Sequence, residues 1–135
     1  MIRIKRAYSK SSPGDGVRIL VDRVWPRGIT KERARIVEWR SDLAPSTSLR
    51  KWFGHDPARW AGFRRRYRTE LKCSMEELEK FARLSCHQTI TLVYGAADEE
   101  HNQAVVLKEL IERLVATRIR DTTFKRDLGT MPIGT

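Results

Sequence analysis

The chain is short of cysteine. Cys73 and Cys86 are the only two, and they form no CxxC pair and no metal-ligand spacing. A disulfide scaffold and a zinc ribbon are thereby excluded, and a reduced, cytoplasmic chain is the simplest expectation. Long apolar runs are also missing. None approaches the ~20 residues that span a bilayer, so no membrane partner is expected. The opening Met-Ile-Arg-Ile-Lys-Arg lacks the apolar core of a secretory signal. There is no P-loop, no GxGxxG, no GxSxG elbow and no HExxH, which removes the commonest phosphate, dinucleotide, hydrolase and zinc signatures. His55, His101, Asp56 and Glu99 have no spacing that requires them to converge, so no metal and no cofactor are expected. Acid is scarce as well: 17 Asp and Glu stand against 27 Lys and Arg, a net charge of +10. Such an excess attracts polyanions, and arginine suits bidentate recognition of carboxylate or phosphate.

What is present suits a globular protein. The 135 residues are 40% hydrophobic and include four Trp, enough for one domain with a real core. The organising stretch is Thr89–Leu114. It opens with Thr-Ile-Thr-Leu-Val-Tyr, which has little alternation and reads as a strand buried on both faces, as in parallel sheets. Gly95 permits a sharp exit. Asp98 is placed to cap a helix, with Glu99 and Glu100 in its first turn, where the dipole favours acids. Leu107, Leu110, Ile111 and Leu114 then recur at three and four. Ligands bind at the carboxyl ends of such strands in open α/β sheets, which puts His101 and Asn102 near a site.

The other elements follow in order. Ile2–Tyr8 reads as an edge strand, Ser9–Gly16 as a turn, and Val17–Asp22 as a second strand with Val17, Ile19 and Val21 on one face. Pro26 forces Trp25 into extended backbone, so Arg23 and Trp25 should share a side, with Arg27 beside them and Asp22 as internal partner. Thr30–Arg35 reads as a helical turn and Ile36–Arg40 as an extended segment that carries Trp39 inward. Ser46 should cap a helix over Thr47–Phe53 that stops at Gly54. Asp56-Pro57 starts another helix, burying Trp60, Phe63, Tyr67 and Leu71 and exposing an arginine-rich face. Ser74-Met75-Glu76-Glu77 is a capping box for the next. Periodicity fades after Thr117, which predicts a basic tail over 116–135, loosely held or docking, behind a domain over 1–115. The expected fold class is α/β: a single compact domain with a small, mostly parallel sheet covered by helices.

Three blocks, VRILVDRVWPRG (Val17–Gly28), DLAPSTSLRKWFGHDPARW (Asp42–Trp60) and LVYGAADEEHNQAVVL (Leu92–Leu107), occur in order. Together they resemble domain-of-unknown-function family 488, the YeaO-like proteins. The resemblance covers residues 2–115 and implies a compact prokaryotic α/β protein. It implies no established reaction or substrate. The family's recurring residues fall here on Arg23, Trp25, Pro26, Arg27, Gly28, Pro45, Ser46, Leu49, Arg50, Tyr94 and Asn102. Ala97 stands where family members often carry Lys.

These readings converge on a small anionic ligand, nucleotide-like molecules included. The loops after Asp22 and Tyr94 should meet the loop around His55. There Arg23, Arg27 and Arg50 would hold charge, Trp25 and Tyr94 would contact a ring, and Asn102 would fix orientation. His101 or Glu99 would move a proton if chemistry occurs. The competing reading is a nucleic-acid-associated module that uses the arginine-rich helix and the basic tail.

Overall fold

The computed structural model describes residues 1–130, with side chains described through Asp121. Four parallel strands form one sheet in the order β1-β4-β2-β3: β1 (Ile2–Arg6), β2 (Val17–Leu20), β3 (Glu38–Trp39) and β4 (Ile90–Tyr94). β1 lies at an edge, as its cationic face suggested. The chain leaves one space between β1 and β2, and β4 later fills it. The apolar run of β4 therefore becomes a central strand, with every residue buried.

The helices are α1 (Lys31–Ala34), α2 (Thr47–Phe53), α3 (Trp60–Leu71), α4 (Met75–Ser85) and α5 (Gln103–Thr130). Alternation along the strands decides what each face meets. Ile2, Ile19, Val21, Ile90, Leu92 and Tyr94 join Phe53, Phe63, Tyr67, Leu78 and Leu107 in the main core, so helices α2 to α5 cover this face. On the other face Leu20 and Val93 meet Ala7, with Trp25, Ile29 and Ile36 packed against them. There, loops and the short α1 stand in place of long helices. A buried Asp15 ties down this side, accepting from Arg18 at 2.7 Å and Lys5 at 3.1 Å. Burial pushes the Asp15 carboxyl up, but the Ser12 N–H, Lys5 and Arg18 outweigh it and hold it well below the usual range.

The sequence-level caps hold at Ser46, which accepts from Leu49 N at 3.2 Å, and at Asp56, which accepts from Ala58 N at 3.0 Å. Three expectations need correction. Ser74 makes no capping bond, because the turn over Lys72–Ser74 runs straight into α4 and leaves Ser74 at ψ 13° instead of extended, and Glu77 is drawn to Arg40 and Lys80. Trp39 is not carried into the core: it stays 46% exposed on an edge strand, its indole donating to the Asp22 carbonyl at 2.8 Å. Asp98 caps a turn, accepting from the N–H groups of Glu100 and His101. The cap of α5 is Asn102, whose Oδ1 accepts from Val105 N at 3.2 Å. Glu99, Glu100 and His101 accordingly precede the helix, and no acid lies in its first turn. The segment expected to form a basic tail continues α5 through Thr130. The side chains beyond Asp121, on which much of its proposed docking role depends, lie outside the described residues.

Candidate functional site

β2 and β4 are hydrogen-bonded neighbours, so their carboxyl ends deliver two loops to one place. A pocket of about 270 Å³ opens there. Its walls come from the segment after β2 (Asp22, Arg23), from α2 and the turn after it (Arg50, Phe53, His55), and from the turn between β4 and α5 (Gly95, His101, Asn102). Phe63 of α3 adds an apolar surface.

Arg23 is anchored by backbone. Its Nε donates to the Pro45 carbonyl at 3.0 Å and its Nη2 to the Ala44 carbonyl at 3.4 Å. A guanidinium has five N–H donors, so several remain. Arg50 lies on the exposed side of a helix whose other side is fixed by Leu49 and Phe53. Among the described residues neither arginine has a carboxylate within ion-pair distance, whereas Arg40, Arg64 and Arg68 each do.

Asp22 faces them. Its Oδ2 accepts from Gly95 N at 2.9 Å, and Gln103 Nε2 donates to its Oδ1. Burial pushes its carboxyl up to about 6, against the lowering effect of the Gly95 N–H, the Gln103 amide and the field of Arg50. Asp22 was expected to pair with Arg23 or Arg27; instead it latches the exit of β4 to the start of α5. A side chain at Gly95 would place its Cβ 2.6 Å from Asp22 Oδ2, which accounts for the glycine.

Two histidines complete the wall. His55 follows Gly54 in the left-handed region at φ 57°. His101 Nδ1 lies 2.9 Å from Asp98 Oδ2, and its ring meets the Trp60 ring edge-on at 5.2 Å. The His101 bond and the two backbone N–H groups lower the Asp98 carboxyl from its usual value, the Glu100 N–H most of all. This leaves His101 Nε2 as the free ring nitrogen. An Asp–His pair of this form orients a base, yet among the described residues no Ser, Thr or Cys lines the pocket for it to activate.

The structure therefore brings Arg23, Arg50, His55, His101 and Asn102 to one pocket and leaves four other expected residues off its wall. Trp25 turns to the opposite face, donating to the Ile29 carbonyl at 2.6 Å and meeting Trp39 edge-on, so Arg23 and Trp25 do not share a side. Arg27 is exposed beyond it, its carbonyl accepting from Tyr8 Oη at 2.9 Å. Tyr94 points into the main core, where burial pushes its phenol up. Glu99 is exposed on the turn. Asn102 reaches the wall already occupied as a cap, its Nδ2 donating to the Asp98 carbonyl at 2.9 Å. Sequence reasoning missed Gln103, Phe53 and Phe63 as wall residues. Helical periodicity marked the two Phe only as core, and nothing in the sequence tied Gln103 to Asp22.

The fold and this pocket define a small parallel α/β protein with a cleft of mixed polar and apolar lining above its central strands. The chain belongs to the DUF488 family, matching over residues 1–125 a subgroup described as "Inactive DUF488-N3 subclade". It is 40% identical over 113 residues to Uncharacterized protein YeaO of Escherichia coli K12, covering 84% of this chain and 98% of the relative. It is 38% identical over 110 residues to Uncharacterized protein Rv3073c of Mycobacterium tuberculosis H37Rv, covering 82% of this chain and 92% of the relative. No solved structure matches the chain.

Proposed function

We propose that the protein binds a small anionic molecule, nucleotide-like ones included, in the pocket between Asp22, His55 and His101, without a chemical step. The observation that carries this is the pair Arg23 and Arg50: two guanidinium groups on one cavity wall, with no carboxylate partner among the described residues. Arg18, Arg40, Arg64 and Arg68 pair with carboxylates and Arg66 stacks on Trp52, while Arg27, Arg33 and Arg35 are exposed. The aromatic contact shifts from Trp25 and Tyr94 to Phe53 and Phe63. The description of the subclade as inactive supports binding over catalysis, and so does the lack of a nucleophile beside His101 among the described residues. A cytoplasmic setting belongs to the same reading, supported by the exposed, unpaired Cys73 and Cys86. The test is titration of inorganic phosphate and adenosine monophosphate against ¹⁵N-labelled protein. The Gly95 and Asn102 amides should shift, and Arg23→Ala with Arg50→Ala should weaken binding at least about tenfold, the loss of one charged hydrogen bond. Unchanged affinity in that double variant, or no shift in the wild type, refutes the proposal.

The nucleic-acid reading stands second. It draws on the net charge of +10, but the arginine-rich helix is largely committed elsewhere. Arg64 and Arg68 both bond Glu109 of α5, at 2.7 and 2.9 Å, and Arg66 lies 4.0 Å above the Trp52 ring.

A further inference from the structure

Asp22 is an unexpected residue on the wall of an anion pocket. A simple anion seated between Arg23 and Arg50 would lie beside a carboxylate and be repelled by it. The latch to Gly95 and Gln103 explains why a carboxylate stands at this position, since both oxygens must accept. It does not use the carboxylate up. Two incoming bonds leave about two of its four lone-pair positions open. Arg50 acts on Asp22 through its field without an ion pair, so no cation among the described residues takes those positions. The other ionisable groups on the wall are Arg23, His55, His101 and Tyr8, from the β2 exit, the turn after α2, the turn before α5 and the β1 exit. His101 is already turned to Asp98 through Nδ1. The pocket thus offers guanidinium donors and a partly unfilled carboxylate acceptor in about 270 Å³. That is roughly nine water volumes, small enough for one compact molecule to reach both.

We infer that the ligand of this pocket is a small zwitterion, whose anionic group meets Arg23 and Arg50 and whose amine donates to Asp22. The inference rests on the anion-binding reading above and adds the second half of the ligand. Taurine and ethanesulfonate are the probes. They share a sulfonate that stays ionised across the working pH range, and only taurine carries an ammonium. At pH 7.5 taurine should bind about tenfold tighter, the worth of one charged hydrogen bond. On acidification to pH 4.5, below the value of about 6 to which burial raises Asp22, the preference should fall below threefold. A variant with His55→Gln and His101→Gln should show the same fall in preference, which assigns it to Asp22. Asp22→Asn should abolish the preference at pH 7.5. If that variant does not fold, the pH series in the wild type still decides. Equal binding of the two sulfonates overturns the inference and leaves the anion reading intact, as does binding of neither while inorganic phosphate binds. No response to phosphate overturns both.

Discussion

At the scale of single residues, Asp22 links stability to the pocket. Its carboxyl is raised from the ordinary 3.8 to about 6, so between those values the folded chain holds a proton that the unfolded chain has released. Its contribution is therefore complete at low pH and is lost as pH rises through about 6. Between pH 4.5 and pH 7, urea unfolding should show wild type losing about 2 kcal/mol relative to Asp22→Asn. Asp98 is shifted the other way: its contribution is present above the ordinary carboxylate range and is lost as pH falls through the depressed value. Gly95→Ala should cost about 1–3 kcal/mol in the same assay, because the new Cβ would displace the Asp22 latch. Sequence alone marks both residues as special, Asp22 by its place at the end of a strand and Gly95 by its place in a turn. Their bond spans 73 residues, and no local pattern encodes it.

At the scale of elements, two serines that look alike in sequence behave differently. Both Ser46 and Ser74 precede helices and both invite a cap. Ser46 accepts from Leu49 N and donates to Glu70 Oε2 at 2.6 Å, whereas Ser74 makes no cap bond. Ser46→Ala should lower stability by about 1 kcal/mol and Ser74→Ala by less than about 0.5 kcal/mol, measured by thermal or urea unfolding. The physical reason is the backbone before each helix. Ser46 is extended at ψ 156°, whereas the turn over Lys72–Ser74 leads straight into α4 and leaves Ser74 at ψ 13°, and Glu77 is taken by Arg40 from the loop after β3. The start of α5 shows the same limit. Asp98 had the chemistry of a helix cap, but the chain makes one more turn before Asn102 takes that role. Helix α2 was legible to the residue, because a serine, an apolar stripe and a glycine all act within one short segment.

At the scale of the whole molecule, the net charge and the pocket make separable demands. An excess of +10 should retain a single-stranded oligonucleotide weakly, and that retention should fall steeply between about 50 mM and about 200 mM salt. Fluorescence anisotropy of a labelled oligonucleotide should give the same salt curve for wild type and for Arg23→Ala with Arg50→Ala, while the variant loses phosphate binding. A parallel loss would mean that polyanions enter through the pocket. The sequence by itself determined the parallel α/β class, the edge position of β1, the buried central strand and most helix ends, because periodicity, glycine and proline act over a few residues. It also brought forward Arg23, Arg50, His55, His101 and Asn102, which line one cavity. Only the tertiary structure decided that Trp25 and Tyr94 turn away from it, that Trp39 stays at the surface, and that Asp22 lies against Gly95 and Gln103. Those outcomes follow from β4 inserting between β1 and β2 and from which face each loop must cover. Both are settled by contacts between residues far apart in the chain.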